Sequence, residues 1–270
     1  MHKLTTWLVA LAALLFTSSS AAYERAISLA PHITELIYAI GAEDKLIATV
    51  DRSDFPPAAL DLPRVGDGIS FSAEQMLAFQ PDVIFAWQPS PALHALESQL
   101  AHHAIPIHYI NPQSLAEIGQ VAQQLGEWLD SAEEGSTFHT EWERQVQQLK
   151  NQYQDTRNVT LFIALHSQPL YSLNDPIVND VLQLCGARNW LPPQSPKAPI
   201  IHLERLFVTP ADGLIYDIWD EGLEQTSELL KQVYGRNLAL IAVNPDHFYR
   251  AGPRLLEAAK QFCQELARSK

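Results

Sequence analysis

The residue types able to do chemistry are scattered along this chain, and their spacing suits binding better than catalysis. Carboxylates are numerous, yet none falls in a motif that marks an acid/base pair. There is no glycine-rich phosphate loop, no Cys-x-x-Cys pair, no His-Glu-x-x-His and no Gly-x-Ser-x-Gly elbow. His102, His103 and His108 cluster near the end of one predicted helix, with His94 close by. Zinc needs three or four ligands converging from a fixed scaffold. Adjacent histidines on a polar helix are ordinarily solvated, so no metal site and no catalytic cofactor are expected.

More telling are the residues that follow the short apolar runs. In an open α/β sheet, ligands sit beyond the carboxyl ends of the strands. That rule selects His32, Arg52 and Trp87 in the first half of the chain. In the second half it selects the stretch from His166 to Tyr171 and the stretch from Asp246 through Phe248 to Arg250. Aromatic rings, two arginines and an aspartate facing one cleft would suit a large, flat ligand of mixed polarity.

The elements that must carry these residues alternate as βα units. Ala26 to Leu29, Leu46 to Val50, Val83 to Trp87 and Ile107 to Ile110 read as strands. Between them, Ile33 to Ile40, Ala73 to Phe79 and Leu93 to His103 read as helices, the first ending at Gly41, a favourable residue after a helix. This alternation predicts an open, mostly parallel sheet. A polar helical stretch follows, with one helix from Ser114 to about Trp128 and a second from Ala132 to Gln154. The second carries Phe138, Trp142, Val146, Leu149 and Tyr153 as one apolar stripe. A second βα block then begins at Thr160 to Leu165. It continues through Val178 to Leu184, Leu214 to Tyr216, Glu224 to Tyr234, Leu240 to Val243 and Pro253 to Arg268.

The two blocks echo each other. Glu74 precedes Asp82 and Glu204 precedes Asp212 by the same interval, each pair leading into a strand. The run Ile40-Gly41-Ala42 likewise matches Cys185-Gly186-Ala187. The expected fold is therefore α/β: two similar lobes with open, mostly parallel sheets, joined by one long helix. The expected divisions are 1–22 a signal peptide, 23–130 the first lobe, 131–155 the connecting helix and 156–270 the second lobe.

Composition and the N-terminus bear on location. A formal net charge of −13 argues against nucleic acid and against an anionic membrane surface. His2 and Lys3, the apolar run Trp7 to Phe16, and small residues from Ser18 to Ala22 resemble a secretory leader cleaved before Tyr23. The apolar run is far shorter than the ~20 residues that span a bilayer. An exported, soluble, monomeric protein is expected. Cys185 and Cys263 are the two cysteines; in an oxidising compartment they would pair, the alternative being two buried thiols.

Several runs resemble the periplasmic cobalamin receptors, which belong to the helical-backbone class of binding proteins. They are Ala26-Ile-Ser-Leu-Ala-Pro-His-Ile-Thr-Glu-Leu36, Ser53-Asp-Phe-Pro-Pro57, Pro63-Arg-Val-Gly66 and Gln80-Pro-Asp-Val-Ile-Phe-Ala-Trp87 in the first block. In the second they are Asn179-Asp-Val-Leu-Gln-Leu-Cys-Gly186 and Asp246-His-Phe-Tyr-Arg-Ala-Gly-Pro-Arg254. The resemblance implies a receptor that captures cobalamin between its lobes and delivers it to an inner-membrane ABC importer. It implies ligand contacts from Trp87, Tyr171, Asp246 and Arg250, a disulfide between Cys185 and Cys263, and permease docking through Glu74 and Glu204. The chain departs from the family pattern at Arg52, where a tyrosine is expected, at Gly68, near the place of a cleft tryptophan, and at His32, which replaces a small residue. A tryptophan expected before His202 is also missing. The rival readings are a receptor for haem or an iron siderophore, favoured by a basic cleft, and an exported enzyme, which would need an acid/base pair in the cleft.

Overall fold

Short, β-branched-rich apolar runs form two four-stranded sheets in which every strand pair is parallel. The computed structural model describes residues 22–154, 158–167, 169–220, 222–234 and 238–269. The expected leader thus lies almost wholly outside the described residues. The first sheet contains β1 (Ala26–Ser28), β2 (Leu46–Ala48), β3 (Val83–Ala86) and β4 (Ile107–Tyr109), in the order β2-β1-β3-β4. Helices α1 (Pro31–Ala39), α2 (Ala73–Ala78) and α3 (Pro91–His102) alternate with them. All four residues of β3 are buried, as expected of an inner parallel strand covered on both faces.

Crossing to the second sheet takes two packed helices, α4 (Leu115–Trp128) and α5 (Ala132–Tyr153). With 22 residues, α5 is about 33 Å long at 1.5 Å per residue. Its predicted stripe is the packed face: Trp142, Leu149 and Tyr153 are buried, and Phe138 and Val146 lie partly buried against the same core. Trp142 Nε1 donates to the Leu115 carbonyl at 2.6 Å, fixing α5 to the start of α4.

The second sheet holds β5 (Val159–Ala164), β8 (Ala187–Asn189), β9 (Gly213–Asp217) and β10 (Ala239–Val243), in the order β10-β9-β5-β8. A two-stranded antiparallel hairpin, β6 (His166–Ser167) and β7 (Leu170–Tyr171), follows β5. Helices α6 (Pro176–Leu184), α7 (Leu203–Val208), α8 (Gly222–Tyr234), α9 (Pro245–Phe248) and α10 (Leu255–Arg268) complete this half. Read outward from β8, the order is β8-β5-β9-β10, the same pattern as the first sheet. The strand β8 was not anticipated: Ala-Arg-Asn has little apolar character, and it sits at the sheet edge, paired only with β5.

The sequence echo has a physical counterpart. Asp82 accepts hydrogen bonds from the backbone of Glu24 and Arg25 at 2.8 and 3.0 Å, anchoring the start of β1. Asp212 accepts one from Thr160 at 2.8 Å, at the start of β5. Gly41 and Gly186 both have positive φ, 67° and 73°, ending α1 and α6 where an L-side chain would be strained. Cys185, just before Gly186, forms a disulfide with Cys263 on α10.

One cluster of buried apolar side chains runs without a break between the halves. It extends from Ile33 and Phe85 through Leu125 and Trp142 to Leu161, Leu182 and Phe262. Polar contacts cross as well, since Asp180 of α6 accepts the backbone N–H of Leu115 at 2.8 Å. The halves therefore share a core instead of resting on a thin hinge.

Candidate ligand-binding cleft

The carboxyl ends of both sheets face a cleft of about 950 Å³, at the upper end of the ~300–1,000 Å³ typical of small-molecule sites. The first half lines it from the ends of all four strands: Leu29 to His32, Asp51 and Arg52, Ala86 to Gln88, and Asn111 to Gln113. The second half contributes Asp217 at the end of β9 and Trp219 just beyond it, Pro245, Asp246 and Tyr249 to Ala251 after β10, and Asp175 to Ile177 at the start of α6.

Trp87 is 44% exposed, an unusual state for so large an apolar ring. Its indole N–H donates to Asn111 Oδ1 at 3.0 Å, which fixes the ring plane in the wall. Lys197 of the second half places its ammonium 5.8 Å from that ring's centre. From the second half comes Trp219, 54% exposed, on a turn held by its backbone N–H donating to Asp217 Oδ1 at 2.8 Å. These two indoles give the cleft apolar surface from each half of the chain.

His32 is buried beside Trp87, edge to face at 6.1 Å. Its Nε2 lies 3.3 Å from the Ile110 carbonyl and serves as the donor when the ring is neutral. Burial pulls the imidazole pKa down to about 4, with Arg250 adding a smaller push in the same direction. The ring is therefore neutral at ordinary pH. Arg52 is exposed and adopts φ of 64°, a left-handed conformation that costs a non-glycine residue roughly 1–2 kcal/mol.

The polar lining is acidic. Five aspartates (51, 67, 175, 217 and 246) stand against two arginines, Arg52 and Arg250. Asp67 accepts the backbone N–H groups of Ile69 and Ser70 at 2.8 and 2.7 Å, and these bonds hold its carboxyl below the usual range. Asp175 caps α6 through Ile177 and Val178. Arg250 is already neutralised: it pairs with Asp246, and with Glu35 and Asp54 at 3.3 Å each.

Five of the residues singled out from the sequence, His32, Arg52, Trp87, Asp246 and Arg250, meet in this cleft. Two do not. Phe248 is 1% exposed and packs on Phe262, inside the core. Within one helical turn, positions 246, 249 and 250 share a face, and 248 points elsewhere. Tyr171 lies in the β6–β7 hairpin, paired with His166 and bridged to Ile200, and is not among the residues that line the cleft. Glu74 and Glu204 are exposed, each in the first turn of a six-residue helix, at equivalent places in the two halves.

Sequence reasoning missed Asp217 and Trp219, and within the stretch Asp246 to Arg250 that it selected it passed over Tyr249. Tyr249 Oη is buried without a hydrogen-bond partner among the described residues, and burial raises its pKa well above the ordinary phenol value, so it stays protonated. Asp217 and Trp219 follow a strand that had been recognised, and the same strand-end rule applied to β9 finds them. Among the described residues, no group of three or more His, Cys, Asp or Glu side chains is placed to hold a metal ion. No described helix is long and apolar enough to cross a membrane.

A periplasmic binding protein family model matches residues 27–255, which include the whole cleft and all but the first residue of the two sheets. The chain belongs to that family. Relatives within it include a vitamin B12-binding protein of Pectobacterium atrosepticum, 33% identical over 270 residues, covering 98% of this chain and 95% of that protein. The crystal structure of the periplasmic vitamin B12 binding protein of Vibrio cholerae superposes with a TM-score of 0.79 at 28% identity. It covers 92% of this chain and 99% of that one. A periplasmic haem-binding protein of Pseudomonas aeruginosa shares the fold, with a TM-score of 0.73 at 20% identity over 92% and 94% of the two chains. The two-lobed α/β architecture is thus the family's.

Proposed function

We propose that this protein captures cobalamin, or a closely similar corrinoid, in the cleft between its lobes and hands it to an ABC importer in the inner membrane. The acidic lining of the cleft carries this choice. A corrin ring is fringed with carboxamides, whose N–H groups need acceptors, and aspartates supply them. Haem presents propionate carboxylates, which the four cleft aspartates outside the Arg250 pair (51, 67, 175 and 217) would repel and which Arg250, already paired with Asp246 and Glu35, is poorly placed to bind. The nearness of the vitamin B12-binding relatives supports the same ligand.

In this reading Trp87 and Trp219 cover the faces of the ligand, while Asp217, Asp246 and Arg52 meet its polar edge. No covalent step is involved, and the protein is a carrier without catalytic activity. Residues 1–22 act as an export leader, and the mature chain works in the periplasm. Glu74 and Glu204, one on each lobe, dock onto basic residues of the permease. Replacing both with alanine should abolish vesicle uptake and leave affinity unchanged; retained uptake would remove the docking role.

Titration calorimetry of the mature protein tests the ligand, with cyanocobalamin, haem and a ferric hydroxamate compared side by side. Saturable one-to-one binding of cyanocobalamin, little weakened by salt, is expected. Saturable binding of haem with no cyanocobalamin heat would overturn the corrinoid assignment.

A further inference from the structure

We infer that Glu35 and Arg254, neither of which lines the cleft, form a latch that fixes the spacing of the lobes and presents Arg250 to the ligand. Glu35 lies on α1 of the first lobe, with a side chain only 1% exposed. Its partners come from the other lobe. Arg254 donates from Nε to Oε2 at 2.9 Å and from Nη2 to Oε1 at 2.6 Å, the bidentate fork that fixes a guanidinium plane. Arg250 Nη1 reaches the same Oε1 at 3.3 Å.

Both arginines are tied into the first lobe at a second point. Arg254 stacks its guanidinium 4.5 Å over the Phe55 ring, and Arg250 meets Asp54 at 3.3 Å. Gly252, between the two arginines, leaves no slack: a Cβ there would lie 3.2 Å from Glu35 Oε2 and 3.6 Å from the Cα of His32.

A buried carboxylate shared by two cations is costly to break, because removing one member leaves an uncompensated charge out of water. It is also directional, so the geometry holds at one lobe spacing and is lost if the lobes swing apart. Arg250 is the only member of the Glu35–Arg250–Arg254 group that lines the cleft. Its reach into the cleft is therefore set from behind, by Glu35. Both residues are positioning groups; neither touches the ligand.

The latch rests on the corrinoid reading only for its choice of binding probe, and a second readout needs no ligand. Spin labels attached through Gln99→Cys and Glu228→Cys, exposed positions on α3 and α8, report the distance between lobes. Glu35→Gln and Arg254→Met should each broaden and lengthen that distribution in the ligand-free protein. Each should also weaken cyanocobalamin binding by about 5- to 150-fold, the range of ordinary coupling between sites. Arg254→Met replaces the guanidinium with a long, unbranched apolar side chain and stands alone if Glu35→Gln does not fold. An unchanged distance distribution in Arg254→Met, whatever its melting temperature, would overturn the latch. If the parent protein bound no cyanocobalamin, the corrinoid reading would fall and the distance measurement would still decide the latch.

Discussion

The first lobe brings the ends of all four of its strands to the cleft, whereas the second brings two, although both sheets have the same strand order. The difference lies after the first strand of each sheet. After β1 the chain enters α1 within two residues, and Pro31 and His32 face the cleft. After β5 it forms the β6–β7 hairpin, tied to the β9 end by His166 and Asp220 at 3.2 Å, before α6 begins. Pro176 and Ile177 open α6 as Pro31 and His32 open α1, so the two helices still deliver equivalent positions to the wall. A repeated topology thus fixes where a site can form, and the insertions decide which strand ends reach it.

The lobes also differ in what secures them, and the disulfide is the largest such difference. Ile40 ends α1 as a buried apolar residue, and Cys185 stands at the matching place on α6, bonded to Cys263 across 78 residues. In the chain-entropy model a loop of that length confers about 4–5 kcal/mol. Replacing both cysteines with alanine should lower the unfolding free energy by about 2–5 kcal/mol in denaturant titrations. Hydrogen exchange should rise mainly in α6 and α10, with α1 nearly unchanged. Equal loosening of both lobes would show that the shared core makes them one cooperative unit.

His32 gives the first lobe a pH dependence that Ile177 cannot give the second. Its pKa of about 4 in the folded protein lies below the ordinary value of 6.5. Above pH 6.5 the ring is neutral in both states and its contribution is complete. As pH falls from 6.5 to about 4, the unfolded chain takes up a proton that the buried ring refuses, and stability is lost. The loss is on the order of 3 kcal/mol. Comparing the stability of the parent and His32→Gln across this range isolates the effect. The difference between them should shift steadily towards the variant as pH falls; parallel curves would place no such titration at His32.

Much of this architecture was legible because parallel strands buried on both faces must be short apolar runs, as in β3 and β5. The strand-end rule found His32, Arg52, Trp87, Asp246 and Arg250 for the same reason, since those positions follow directly from the strands. The hairpin that carries Tyr171 was not legible because two-residue strands carry no periodic signal to announce it. Phe248 was misplaced because a single turn of helix sends adjacent residues to opposite surroundings. Asp67, Ile69 and Phe71 reach the cleft from an irregular loop, whose course is set by tertiary contacts and not by local pattern. The Glu35 latch was beyond sequence reasoning altogether, because its members lie 215 and 219 residues apart.

The smallest effect bears most directly on whether the lobes are physical repeats. Asp82 and Asp212 each follow a glutamate by the same interval, and each carboxylate accepts a backbone N–H at the start of its lobe's first strand. The backbone of each aspartate pairs with that strand too: Asp82 N–H donates to the Arg25 carbonyl at 3.0 Å and Asp212 N–H to that of Thr160 at 2.7 Å. If the echo records one structural role used twice, Asp82→Ala and Asp212→Ala should each cost about 1–2 kcal/mol. Neither residue lines the cleft, so ligand affinity should stay at the parent level in both. Matched losses in denaturant titrations with unchanged slopes would mean that the repeat is maintained by the same contact in both lobes. A loss at one position and none at the other would mean that the matching spacing is coincidence, and that the lobes share topology without sharing the forces that fix it.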